Sequence, residues 1–589
     1  HETLRTNFMV EDGMPQLNVA APFDWKSPVE DLSLLPESDQ QKKVAHWVDI
    51  DANKTFQLAS DSLFSTRILK LSPTAHVLLL NMHHIIADGW SISVLIREVQ
   101  MLYQAFSRGQ GSPLPELALQ YSDFAVWQRN WLTGEVMEKL RAYWLNALRG
   151  APDVLRLPTD KPRPKRQTFN GAHFPVSLSP ALSAQVNAFC DKQGLTPFMV
   201  LMGAYQILLS RYANQKDISV GTPIAGRTRT EIEGLIGFFI NGLVIRTKLD
   251  GNPSVSNYLQ QMKEVALGAY AHQDMPIDVL ADALQFERSS EHAPGAQVGF
   301  ALQNTPEESL QADSAGLTIA AVPREHKTAK YELTLILENN VGSYSGVAEY
   351  NTDLFVASTI EQMMARFVRI VEQMITAPDT LLENISLVQA DELYSLLDVN
   401  PQQYEVRPLS PMQRDMYLDT LLDPSTLKNS LGVRITTTGP FHLDHWINAA
   451  QFQVDNTPLL RAVIIPADKP CLDVAYLRIA QQAKARVTVV DWTDRVTTDE
   501  ETEQLGQKLA WQPYDIHGET QSEFFVYRLN DNRNFLLFRA NHILLDGVGM
   551  LLQFGHQIQV AEALSRGETP PVIPDHFKDF VHLSREETD

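Results

Sequence analysis

Apolar residues follow two rhythms along this chain, and the switching between them predicts an α/β fold. Phe64–Lys70 and His76–Met82 read as two strands turned at Ser72-Pro73. From about Ser91 to Phe106 the period lengthens, and Ile92, Leu95, Val99 and Leu102 fall on one face of a helix. The pattern then predicts two helices within 178–213, a strand from Asn241 to Leu249 and a helix over 254–270. A hairpin follows at 331–338 and 343–350, with a long helix over 355–377. Pro158, Pro162 and Pro164, set among Lys161, Arg163 and Lys165, forbid regular structure, so this stretch is expected to be a hinge between two lobes.

The chain also repeats itself. His83-His84-Ile85-Ile86-Ala87-Asp88-Gly89 returns as Asn541-His542-Ile543-Leu544-Leu545-Asp546-Gly547, and His84 to His542 is an offset of 458 (542 − 84). Ser107-Arg108-Gly109 and Ser565-Arg566-Gly567 keep that offset, while Arg5 and Arg461 differ from it by two. A register held over about a hundred positions marks a duplication. The second copy opens with Pro408–Gln413, for which the first has no counterpart, so the first copy is expected to lack roughly its first 50 residues. Conversely, the second copy has no counterpart of residues 132–400. The expected layout is a first lobe over 1–165, a second over 166–398, a linker at 399–407 and another first lobe over 408–589.

Length and composition narrow the function classes. At 589 residues the chain exceeds a single core, and 44% hydrophobic with 20% charged residues is ordinary for a globular protein. A net charge of −22 argues against binding nucleic acid, which requires a basic surface. Neither a run of 18 or more apolar residues nor a signal peptide is visible, which makes a cytoplasmic protein with no membrane partner the default expectation. Cys190 and Cys471 lie far apart and outside any metal-binding spacing, so both read as buried or incidental thiols.

The chemistry centres on the repeated frame. A histidine just past a strand end, with a helix starting behind it, is presented to a cleft and titrates near physiological pH. His84 is therefore assigned the chemistry. Asp88, in an Asp-Gly turn, needs a cation if buried; Arg5, held at the matching position in both copies, is the expected partner. His83 and His84 are neighbours on extended chain and point opposite ways. In the second copy Asn541 replaces the first histidine, while His542, Asp546 and Arg461 remain. Metal binding is disfavoured because the frame offers no third ligand and Gly89 breaks the helical spacing.

Five ordered elements resemble those of the condensation domains of non-ribosomal peptide synthetases. HHxxxDG stands as His83–Gly89 and HExLRTxF as His1–Phe8. YxDFAVWQ is matched by Tyr121–Gln128, IGxFVNTLxLR by Ile236–Arg246 and HQDxPFE by His272–Asp278. The chain departs from the family at Arg288–Pro294, where an RDxSRNP stretch is usual. The resemblance implies a chloramphenicol-acetyltransferase-like fold, with two α/β lobes in a V around a central tunnel and a second N-terminal lobe behind it. It implies peptide-bond formation between an aminoacyl or peptidyl thioester and an amine, each delivered on the phosphopantetheine of a carrier domain. Upstream and downstream carrier domains and adenylation domains would be the partners, with no intrinsic cofactor and no metal. His84, with its neighbour His83, would serve the attacking amine, and the Gly89 N–H would orient the thioester. Gln128, Asn241, Arg246 and Gln273 would stand at the lobe interface or tunnel wall. Two alternatives stand beside this reading: a non-catalytic docking platform that recruits a tailoring enzyme, best suited to 408–589, and a free-standing acyltransferase using coenzyme A thioesters.

Overall fold

The computed structural model describes residues 1–284, 296–303, 319, 322, 326–340, 342–467, 472, 475–518 and 521–571. The first strand pair forms where alternation predicts it, Phe64–Lys70 antiparallel to His76–Met82, and Val29–Asp31 adds a parallel third strand. Helix Gly89–Ser107 follows directly, capped by the Asp88 side chain, which accepts from Ser91 N–H. A ribbon of Thr6–Glu11 and Met14–Val19 and the helices Glu37–Ala52, Tyr121–Trp131 and Gly134–Leu148 complete this lobe.

The second lobe is built on a six-stranded sheet. Its order is Gly171–Ser177, Ser343–Asn351, Leu333–Asn340, Val298–Gln303, Asp217–Ile224 and Asn241–Lys248, with Val298–Gln303 parallel to both neighbours. Helix Pro197–Ala213 is apolar nearly all round and accordingly buried, whereas Ala357–Thr376 buries a single stripe from Ile360 to Met374. One polar cluster lies inside this core. Gln206 donates to the Ile245 carbonyl at 2.9 Å, and its side-chain oxygen accepts from Thr247 at 2.6 Å and Tyr258 at 3.0 Å, so no member is stranded.

The proline-rich stretch is irregular, as three prolines require, but it is fastened along the second lobe. Asp160 N–H donates to the Leu354 carbonyl, and Arg163 forms a two-pronged pair with Glu332 at 2.6 and 3.0 Å. Its cations are thus straps.

Residues His1–Ser386 and Leu387–Asp589 are separate units. The second begins ahead of the expected linker. Ala390–Leu396 is a helix, and Tyr404–Pro408 is a strand paired with Ala475–Ala480, so residues 404–407 belong to a sheet. The duplication is visible in atomic register. Phe64 faces Met82 and Lys70 faces His76 in one copy; Ser522 faces Ala540 and Arg528 faces Asn534 in the other, each 458 positions on (522 − 64, 534 − 76). Helix Gly547–Ser565 answers Gly89–Ser107 at the same offset.

The copies differ in what covers them. In the second unit Ser430–Thr438 pairs with Arg533–Asn541, and helix Leu443–Asn456 sets Trp446 against Phe554. Among the described residues of the first unit nothing takes those places, and Leu78, Ile92, Val99, Tyr103 and Phe106 are exposed. No described helix is long and apolar enough to cross a membrane.

Cys190 is buried in helix Pro180–Gln193, and burial pushes its thiol up to about 12. Because only the thiolate reacts, Cys190 is expected to escape iodoacetamide at pH 8 in the folded chain and to react fully in denaturant, as mass spectrometry would record. Labelling of the native protein at the denatured rate would contradict its burial.

Candidate active site

His84 opens a single 3₁₀ turn, His84–Ile86, at the end of strand His76–Met82 and is exposed. Its Nδ1 lies 2.8 Å from the Ala87 carbonyl oxygen. A carbonyl only accepts, so Nδ1 carries the hydrogen and Nε2 of the neutral ring is left with a free lone pair. The Phe238 ring packs edge-to-face on the imidazole at 5.2 Å.

His83 does a different job. Its Nδ1 accepts from Ile85 N–H at 3.1 Å and its ring meets Phe56, so it caps the turn. Asn541 reproduces that cap in the second unit, its side-chain oxygen accepting from Ile543 N–H at 3.0 Å.

Asp88 is buried, but its cation is not Arg5. Arg5 pairs with Glu2 at 3.3 Å and donates to the Ala20 carbonyl, so the expected Arg5–Asp88 bridge does not form. The partner is Arg227, whose Nη2 stands 3.2 Å from Asp88 Oδ1, with the two side chains 1% and 3% exposed. The same carboxylate accepts from Ser91 N–H, Ser91 Oγ and Phe239 N–H at 2.7–3.0 Å. Arg227 also donates to the Ile232 and Leu235 carbonyls at 2.6 and 2.8 Å and stacks on the Phe239 ring. Burial pulls the guanidinium below its ordinary value, and the Asp88 charge pushes back.

This arginine comes from the second lobe, and glycine makes its approach possible. Gly226 has φ +65°, and a Cβ there would fall 2.0 Å from the Phe239 carbonyl oxygen. The segment from Arg227 to Phe239 then lies across the first lobe. Trp90 Nε1 donates to the Glu233 carbonyl, Thr3 Oγ1 to that of Ile236 and Tyr121 OH to that of Phe238. Ile236 N–H donates to His1 Nδ1, and His1 Nε2 lies 2.9 Å from Glu98. Burial, aided by the Asp88 charge, pushes the Tyr121 hydroxyl up to about 12, which keeps it a donor.

Of the remaining expected site residues, Asn241, Gln273 and Arg246 are engaged within the fold. Asn241 donates to the Gln273 and Met275 carbonyls and accepts from Gly242 and Ile277, pinning the turn before helix Ile277–Leu284. Gln273 donates to the Tyr270 carbonyl. Arg246 holds both oxygens of Asp217 at 2.7 and 2.6 Å and donates to the Ala147 and Arg149 carbonyls at the end of helix Gly134–Leu148. Gln128 is half-buried on helix Tyr121–Trp131. Gly89 is exposed at the start of its helix, and a Cβ there would meet nothing within 4 Å. Arg288–Pro294 and Cys471 lie outside the described residues. Among the described residues no cluster of three or more potential ligands could hold a metal ion.

In the second unit the frame is incomplete. Asp546 caps its helix through Gly549 N–H but is exposed, and Arg461 donates to the Val454, Asp455 and Ala480 carbonyls. His542 Nδ1 is buried without a hydrogen-bond partner among the described residues. Gln413 ties the opening Pro408–Gln413 stretch to this frame by donating to the Ile543 carbonyl at 2.8 Å.

Removing one member of the Asp88–Arg227 pair leaves a buried charge alone, so Asp88→Ala and Arg227→Met should each cost roughly 3–5 kcal/mol of stability. Gly89→Ala should leave it unchanged or slightly raised. Urea unfolding would read both, and an Asp88→Ala protein with wild-type stability would refute the structural assignment.

Comparisons with known proteins agree with this architecture. The chain is 40% identical over 397 residues to a linear gramicidin synthase of Brevibacillus parabrevis, a match that covers 67% of this chain and 8% of that protein. It is 36% identical over 397 residues to the chondramide synthase of Chondromyces crocatus, covering 67% of this chain and 10% of that one, so the match spans only a small part of either relative. The fold is that of the X-domain from teicoplanin biosynthesis (TM-score 0.59, 23% identity, 66% of this chain and 87% of that one). It is also that of the first condensation domain of the calcium-dependent antibiotic synthetase (TM-score 0.54, 18% identity, 66% and 87%). These neighbours share the chloramphenicol-acetyltransferase-like, two-lobed α/β fold. The condensation-domain family model matches residues 1–397 and again 403–588, and the chain belongs to that family twice over.

Proposed function

We propose that residues 1–386 join a donor aminoacyl or peptidyl thioester to an acceptor amine, both carried on phosphopantetheine arms of carrier domains in a peptide synthetase. The observation that carries this reading is the single tautomer of His84: Nδ1–H is engaged by Ala87, which leaves Nε2 of this exposed residue as an acceptor without a partner among the described residues. A thioester is already activated, so the demand on the protein is chiefly positioning. Nε2 accepts a hydrogen bond from the amine and aligns its lone pair with the carbonyl carbon. The C–N bond forms, the C–S bond breaks, and the amine proton passes to the departing thiolate. The Gly89 N–H, at the positive end of a nineteen-residue helix, orients the thioester oxygen. The working partners are the flanking carrier domains and, through them, adenylation domains, in a cytoplasmic assembly line.

For the second unit a different reading has its own support. Among the described residues Asp546 has no arginine partner and His542 has no tautomer-setting carbonyl, while Val548, Leu551 and Leu552 are exposed. We assign it a docking role in this chain. The teicoplanin X-domain, which shares the fold, is known in complex with OxyB, and a tailoring enzyme is the class of partner this reading implies.

His84→Ala should slow dipeptide formation between loaded carrier domains by about a hundredfold or more, the usual scale for a positioned acid–base group. Its melting temperature should not change, because His84 is exposed. His542→Ala should leave the rate at wild type. Undiminished product from His84→Ala would end the catalytic reading, and a clear loss in His542→Ala with intact folding would show the units to be coupled.

A further inference from the structure

Two adjacent phenylalanines in the segment that crosses the first lobe have opposite fates. Phe239 is buried against Tyr121, Phe124 and the Arg227 guanidinium. Phe238 is 38% exposed, and its ring contact is with His84. The backbone around it has no freedom to withdraw. Gly237 N–H donates to Ser91 Oγ at 3.1 Å, and the Gly237 carbonyl oxygen lies 2.8 Å from the same hydroxyl, whose one hydrogen it shares with Asp88. The Phe238 carbonyl accepts from Tyr121 OH at 2.8 Å, and Phe239 N–H donates to Asp88 at 3.0 Å. Consecutive residues are therefore pinned to the other lobe at Ser91, Tyr121 and Asp88, and a large apolar ring is held in the open beside the imidazole.

Leaving such a ring half in water is unfavourable, and the first lobe would bind the segment through the same backbone bonds if the side chain were smaller. The ring's position matters for what reaches His84. With Nδ1 closed off by Ala87, a reacting group must approach Nε2 of a ring against which Phe238 packs edge-to-face, at 5.2 Å between ring centres. We infer that Phe238 is a specificity-determining residue, which limits the size of the substituent on the carbon that reacts beside His84. The assignment rests on His84 being the reacting centre of the activity proposed above. It adds that discrimination is exerted by a residue of the second lobe on a histidine of the first.

The test measures access to His84 without requiring turnover. Bromoacetyl aminopantetheine and its bulkier 2-bromo-4-phenylbutanoyl analogue both alkylate imidazole. Nε2 bonds to the α-carbon as bromide leaves, and the Nδ1 proton passes to solvent. Peptide mapping by mass spectrometry gives the rate at His84 for each reagent in the full chain. The small-over-bulky rate ratio should fall about tenfold in Phe238→Ala, on the scale by which a pocket senses a few methylene groups, and should rise in Phe238→Trp. Phe238→Leu, with an intermediate ratio and a wild-type melting temperature, guards against misfolding as the cause. One ratio shared by all four proteins would overturn the proposal while leaving condensation intact. Absence of alkylation at His84 by either reagent in wild type would overturn both readings, the condensation reading first.

Discussion

The site depends on one buried ion pair, Asp88 with Arg227. Each charge loses several kcal/mol of hydration on burial, and their attraction recovers this only when the remaining hydrogen-bonding capacity is filled. Here it is filled: Asp88 accepts from Ser91 twice and from Phe239, and Arg227 reaches the Ile232 and Leu235 carbonyls as well. Such a pair tolerates little displacement. It fixes where a segment of the second lobe lies on the first, and hence where Phe238 stands relative to His84.

The duplication offers an internal comparison. Strand register, turn and helix are reproduced 458 positions on, and Asn541 even inherits the capping bond of His83. The second unit nevertheless presents an exposed Asp546 and a His542 whose Nδ1 has no partner among the described residues. The local scaffold can therefore form without the arginine.

Much of this was legible from periodicity. Strands 64–70 and 76–82, the helix behind Gly89, the helices over 180–193, 197–213, 255–271 and 357–376 and the strands over 241–248, 333–340 and 343–351 sit within a few residues of their predicted places, because alternation and helical spacing report burial directly. Strands Gly171–Ser177, Asp217–Ile224 and Val298–Gln303 were not predicted. Arg227 was not legible. The offset between copies singled out Arg5 because Arg5 has a counterpart, whereas the true partner lies in the unduplicated lobe, where comparing copies has no reach. The nearest signal was Gly226-Arg227, a glycine and a cation placed ten residues before the Ile236-Gly237 motif. The proline-rich stretch illustrates the same limit: its cations read only as part of an irregular hinge, yet Arg163 pairs with Glu332 and Lys161 donates to the Thr352 carbonyl. Local composition reports where a chain cannot be regular; it does not report what a long side chain will reach.

The spacing of His84 and Asp88 suggests a relay, in which an aspartate would polarise the histidine, as in a Ser-His-Asp triad. The bonds exclude it. Nδ1 belongs to Ala87, a residue between the two, and among the described residues the Asp88 carboxylate accepts from Ser91, Phe239 and Arg227. A backbone carbonyl orients the ring without placing a full negative charge against it. That suits attack on a thioester by an amine, where the electrophile is already activated and the nucleophile needs alignment more than deprotonation. The carboxylate is spent instead on joining the lobes, the task on which alignment depends.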